Sequence, residues 1–91
     1  MLFDWDPAKA EANEKKHGVQ FIHAASVFLD PLAWTFPDPD HSAGETRFIT
    51  IGRTFAGQVL VVAHVELSEE RIRIISARRA TNRERYAYEE A

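Results

Sequence analysis

Phe21, Ala24, Ala25 and Phe28 fall at i, i+3, i+4 and i+7, the spacing that places four apolar side chains on one face of a helix. The pattern predicts a helix over residues 21–29, stopped by Asp30-Pro31 because a residue before proline is pushed out of the helical region. Further on the period changes. Residues 47–54, 58–66 and 71–77 are rich in Ile and Val, and Arg71 and Arg73 alternate with Ile72 and Ile74. That is the period of strands with one buried and one wet face. The separators at 55–57 and 67–70 are short enough for antiparallel hairpins.

Caps frame the remaining elements. Residues 2–5 read as a short strand. Asp6 offers an N-cap carboxylate, Pro7 sits where a missing N–H costs nothing, and Gly18 supplies a left-handed stop, so residues 8–17 form a helix. Residues 33–36 read as a brief strand and 37–44 as an exposed loop. Thr81 and Glu84 have the spacing of a capping box, which opens a last helix over 82–90. The order β-α-α-β-β-β-β-α predicts an α+β domain: an antiparallel sheet packed with two N-terminal helices and one C-terminal helix.

Length and composition set limits on this picture. Ninety-one residues, 45% of them hydrophobic, suit one domain over residues 1–91 with a single core. The absence of cysteine excludes disulfides and thiolate zinc sites. An acidic start, Asp4 and Asp6, does not match a signal peptide, and no apolar run approaches the ~20 residues of a membrane helix. The expectation is a cytoplasmic protein with no membrane partner.

Charge distribution changes the functional reading. The chain carries −3 overall, yet residues 71–85 hold six arginines against Glu84 alone, a local +5 that leaves −8 elsewhere. Such a basic field in an acidic body suits phosphate or an acidic partner; a solvated charged face is the alternative. Arg78-Arg79 lies where a strand ends and a capped helix begins, and arginine there can fork onto phosphate and neutralise a phosphorane. Surface pairing with Glu89 or Glu90 is the competing role. Arg53 closes another strand at the sheet rim. His64, on a face with Leu60 and Val62, can move a proton near neutral pH, although a lone histidine on an apolar face is commonly a core residue. Glu66 shares that face. Lys9, Asn13, Lys16 and His17 follow helical spacing as a polar stripe able to grip an RNA backbone, or to serve as a plain solvent face. Arg79 and Arg83 extend the basic surface available to RNA.

Other chemistries find little support. Asp38, Asp40, His41 and Glu45 offer oxygen ligands, but their order matches no EF-hand, and a proline-broken solvated loop accounts for them. Neither a glycine-rich phosphate loop nor a nucleophile elbow occurs, so no metal or other cofactor is expected. Trp5 and Trp34 are expected in the core rather than as base-stacking platforms.

Three ordered blocks resemble the BrnT family of toxins. They are Trp5-Asp6-Pro7 with Lys9, Asn13, Lys16-His17-Gly18, Phe21 and Ala24; Arg47-Phe48 with Ile51-Gly52-Arg53; and Ile74-Ile75-Ser76 through Arg78, Ala80-Thr81 and Glu84-Arg85. The resemblance spans nearly the whole chain. It implies a RelE-like fold, growth arrest through RNA cleavage, and a BrnA-like antitoxin whose ribbon-helix-helix part alone reaches promoter DNA. It points to Arg53 and Arg78 as functional arginines and to Lys16-His17 as substrate contacts. The leading expectation is therefore a metal-independent endoribonuclease toxin with Arg53, His64 and Arg78 in catalysis. Lys9, Lys16, His17, Arg79 and Arg83 would bind RNA. The alternative is a non-catalytic module whose basic face holds an acidic peptide.

Overall fold

The computed structural model describes residues 1–40 and 46–90. Its elements are β1 (Leu2–Asp4), α1 (Pro7–His17), α2 (Phe21–Ala25) continued by a 3-10 turn (Ser26–Leu29), β2 (Trp34–Pro37), β3 (Arg47–Arg53), β4 (Val59–Ser68), β5 (Arg71–Arg79) and α3 (Asn82–Glu90). Asp6 caps α1 by accepting from Ala8 N at 2.8 Å, and Gly18 ends it at φ 70°, a conformation that costs glycine little. The stretch expected as one helix over 21–29 tightens into a 3-10 turn where the Ser26 hydroxyl donates to the His23 carbonyl at 2.6 Å. Of the apolar face expected there, Phe21, Ala24 and Ala25 are buried and Phe28 is partly buried, and the tighter turn buries Val27 as well.

The five strands are ordered β1-β5-β4-β3-β2. From β2 to β5 every neighbouring pair is antiparallel, as the short separators after β3 and β4 predict for two of the three pairs. The expectation of a wholly antiparallel sheet needs one correction. β1 pairs parallel to β5, Leu2 opposite Arg71, so the sheet is mixed. No hairpin joins these two strands, and so no turn dictates their relative direction.

Leu60, Val62, Ile74 and Ala77 form the sheet's half of the core, packed against Val19, Phe21, Ala24 and Val27 from the helical layer. β1 is only three residues long, and beyond it Asn13 of α1 takes over the edge of β5. Asn13 Oδ1 accepts from Ala77 N at 3.0 Å, while Nδ2 donates to Ala77 O at 2.9 Å and to Val19 O at 3.0 Å. Asn13 is therefore buried, and the polar stripe expected on α1 loses this member. A primary amide carries one acceptor and two donors, which is what an unpaired strand edge asks of it.

Candidate active site

Two features of backbone geometry decide where the arginines point. Arg53 is in register with Val59, and Arg78 with Val61. Both valines alternate with Leu60 and so lie on the sheet face away from the helical core. Arg78 reaches that face only because of a β-bulge. The β4–β5 register slips between Ala63 and His64, which leaves Ile75 unpaired. Simple alternation from Ile72 and Ile74 would have turned position 78 toward the core; the extra residue reverses the side. Two strand spacings and two residue steps put the Cα atoms of Arg53 and Arg78 about 12 Å apart on one surface.

Both guanidinium groups meet α3. Arg78 Nη1 and Nη2 donate to Glu84 Oε1 and Oε2 at 2.8 and 2.9 Å, a forked pair. Glu84 also closes the capping box: its Oε1 accepts from Thr81 N at 2.8 Å, and its own N–H donates to Thr81 Oγ1 at 3.1 Å. Arg78 and the cap hold the Glu84 carboxyl down at about 2, although its partial burial works the other way. One and a half turns later Glu89 accepts from Arg53 Nη2 at 3.1 Å. Arg53 Nη1 donates to Gly57 O at 3.1 Å, and its guanidinium lies 5.6 Å from the Tyr88 ring centroid.

Asp30 ties this rim together. Its carboxylate accepts from Arg53 N at 2.9 Å, from Leu32 N at 3.0 Å and from the Tyr88 hydroxyl. Burial works against the Asp30 anion, yet these hydrogen bonds and the Arg53 charge outweigh it and hold its pKa below the ordinary value. The competing role considered for Arg78-Arg79, pairing with Glu89 or Glu90, is corrected in its particulars: Glu84 holds Arg78, and Glu89 holds Arg53. Sequence spacing could reveal Glu84 through its cap. It carried no signal for Asp30 or Tyr88, which reach Arg53 only through the tertiary fold.

His64 sits elsewhere. It is 1% exposed, on the core face, with Phe28 edge-on at 4.9 Å between centroids and Phe48 stacked at 5.9 Å. Its Nε2 shares a 2.8 Å hydrogen bond with Thr50 Oγ1, which in turn meets Thr35 Oγ1 at 2.7 Å. Burial pushes its pKa down to about 4, so the ring is neutral at neutral pH. A side chain without solvent access, on the face opposite both arginines, does not reach RNA held there, and the catalytic role expected of His64 is corrected to a core one. Glu66, by contrast, is exposed.

Lys9, Lys16 and His17 line one hollow with Ile75 and Ser76 at the open edge of β5. Lys9 and Lys16 are exposed, and His17 is half-buried. Ser76 precedes Arg78 by two residues, so this hollow opens about 7 Å along the strand from Arg78. Arg79 is exposed but stands opposite Leu60, on the other sheet face from Arg78, and Arg83 is exposed on α3. Of the metal-like loop, His41 and Glu45 lie outside the described residues, as does the segment 42–44. Trp5 packs edge-on against Phe21 at 5.9 Å beside the core. Trp34 departs from expectation. It stands on β2, an edge strand of the sheet, with 45% of its surface exposed.

An α+β sheet with paired arginines on one face and lysines along its edge defines a small domain suited to a phosphodiester or an acidic partner. The profile of the family described as the ribonuclease toxin, BrnT, of type II toxin–antitoxin systems matches residues 5–84, and the chain belongs to that family. The crystal structure of the Brucella abortus ribonuclease toxin, BrnT, superposes with a TM-score of 0.69 at 26% sequence identity, over 90% of this chain and 100% of that one. No curated protein matches the chain. No helix among the described residues is long and apolar enough to cross a membrane.

Proposed function

We propose that this chain cleaves RNA without a metal ion, arrests growth by doing so, and is neutralised by a BrnA-like ribbon-helix-helix antitoxin that alone contacts promoter DNA. The 2′-hydroxyl attacks the adjacent phosphorus and loses its proton to a base. The P–O5′ bond breaks, and the departing oxygen is protonated, leaving a cyclic phosphate and a 5′-hydroxyl. Arg78 and Arg53 stabilise the charge that grows on the phosphorane, and Lys9, Lys16, Arg79 and Arg83 hold the backbone. With His64 sequestered, this reading assigns the proton transfer to His17. The observation that carries this reading is the delivery of Arg53 and Arg78 to one face, the second of them by the bulge at Ile75.

The test is turnover of a mixed RNA by the purified protein in excess EDTA. Many cuts per protein molecule are expected, and Arg78→Ala should slow them roughly 10²–10³-fold, as loss of one transition-state donor does. Abolition by chelation overturns metal independence; full activity in folded Arg78→Ala overturns the role of Arg78. Stoichiometric protection of RNA without turnover favours the second reading, a module that holds an acidic peptide. One observation supports that alternative: α3 already places two carboxylates on the same arginines.

A further inference from the structure

Trp34, Leu32, Arg53, Tyr88 and Glu89 surround an open hollow of about 370 Å³ on the arginine face of the sheet. Its lining is divided by chemistry. Trp34 and Leu32 give an apolar wall, with 45% and 70% of their surfaces open to solvent. Opposite stands the Arg53–Glu89 ion pair, with side chains 42% and 44% exposed. The pair does not exhaust its hydrogen-bonding capacity. Arg53 spends bonds on Glu89, on Gly57 O and on the Tyr88 side chain, out of five N–H donors. Glu89 Oε2 accepts from Arg53, and a carboxylate has about four acceptor sites. The hollow thus offers a flat aromatic wall beside a charged edge that both donates and accepts.

We propose that this hollow is a nucleobase subsite for single-stranded RNA, selective for guanine, placed next to the arginine that contacts the phosphate. The proposal rests on the ribonuclease reading and specifies its substrate. Single-stranded RNA is read by stacking unpaired bases on aromatic side chains and by hydrogen bonds to their Watson–Crick edges. Guanine presents N1–H and N2–H₂ side by side, so both can donate to one carboxylate, that of Glu89. Its O6 lies adjacent and accepts from Arg53. Adenine, cytosine and uracil each present one donor group to the carboxylate at that edge, and so make one bond fewer. Stacking on Trp34 serves any base; the Glu89–Arg53 edge selects among them. An acidic peptide fits less well, because Glu89 would face its carboxylates.

The test separates binding from cleavage. Hexamers of 2′-O-methyl RNA cannot supply the attacking hydroxyl, so their affinity is measurable by fluorescence anisotropy on the intact protein. Oligo-U carrying one guanine should bind at least fivefold tighter than oligo-U carrying one adenine or cytosine. Trp34→Ala should weaken all of these, roughly five- to 150-fold per stacked base, whereas Trp34→Phe should keep most of the affinity and exclude a mere folding defect. Glu89→Gln should erase the guanine preference while leaving oligo-U binding equal or tighter. Equal affinity for all four hexamers, or a folded Trp34→Ala that binds them as the wild type does, overturns the subsite. Either result can stand beside undiminished cleavage of ordinary RNA, which would leave the nuclease reading intact. Loss of partner peptide binding in Trp34→Ala, with RNA binding unchanged, also overturns it by assigning the hollow to a protein.

Discussion

Glu84 holds Arg78 with both carboxylate oxygens and, through the same Oε1, accepts the backbone N–H of Thr81. One side chain thus starts α3 and occupies the arginine that the nuclease reading assigns to the phosphorane. An RNA phosphate entering this face must compete with a carboxylate covalently tethered beside its target. The two roles of Glu84 are separable by chemistry, since glutamine also completes a capping box.

Glu84→Gln should therefore keep α3 and release Arg78. The pair is partly exposed, so its loss should change stability by no more than about 1 kcal/mol. Affinity for non-cleavable RNA should rise several-fold, most clearly at low salt, where phosphate contacts dominate. Anisotropy titrations of the two proteins decide it; weaker binding by a variant with unaltered circular dichroism would show that Glu84 positions Arg78 rather than competing for it.

Asn13 makes a contrasting case, in which a polar side chain is wholly structural. Asn13→Ala strips Ala77 and Val19 of buried partners and leaves backbone groups unsatisfied, at about 1–3 kcal/mol each, with partial relief from water at the strand edge. A loss of about 2–4 kcal/mol in urea denaturation is expected. Asn13→Asp should be nearly as damaging, because a carboxylate cannot donate to two carbonyls. A loss below 1 kcal/mol for both variants would mean that the β5 edge needs no such bridge.

Local chemistry made most elements legible. The Asp6-Pro7 start, the Gly18 stop and the Thr81–Glu84 box all act within a few residues, and each stands where the spacing placed it. The alternation of Arg71, Ile72, Arg73 and Ile74 likewise reports one wet and one buried face. What escaped depends on distant pairing. The direction of β1 is set by docking on β5, not by a turn. Asn13 looks like any polar helix residue until the short length of β1 leaves an edge to fill. The bulge at Ile75 has no glycine or proline to mark it, yet it decides which face Arg78 occupies. For His64 the apolar alternation of Leu60 and Val62 already argued for the core, and burial between two phenylalanines follows that pattern.

The buried ring also makes stability depend on pH. With its folded pKa near 4 and an ordinary value of 6.5, His64 binds more protons unfolded than folded between those limits. Its contribution is complete above pH 6.5 and falls as the pH drops toward 4, by about 3 kcal/mol in all. Glu84, held low by Arg78, adds a further loss only below its unfolded pKa of 4.5, down to about 2. Denaturation of the wild type and His64→Gln at pH 7 and pH 5 separates the two groups. The wild type should lose stability over this interval and the variant should lose little; parallel losses would assign the slope to other residues.

Gly52 shows how closely the helical layer approaches β3. A Cβ built there would stand 3.0 Å from Ala33 Cβ, 3.1 Å from Val27 Cβ and 3.2 Å from Val27 O. Two of these neighbours are short, rigid side-chain atoms and the third is backbone, so none can swing aside. Gly52 has no positive φ, and the glycine is thus required by space rather than by conformation. Gly52→Ala should force the 3-10 turn away from the sheet and cost about 1–3 kcal/mol, as overpacking does. Because Asp30 ends that turn and accepts from Arg53 N, the same shift should disturb the Arg53 rim and lower RNA affinity beyond what lost stability explains. Urea denaturation, with anisotropy measured where the variant is fully folded, reads both effects. A variant as stable as the wild type would show that the turn and sheet are not in firm contact. Lost stability with unchanged RNA affinity would instead separate the Asp30–Arg53 contact from the packing beneath it.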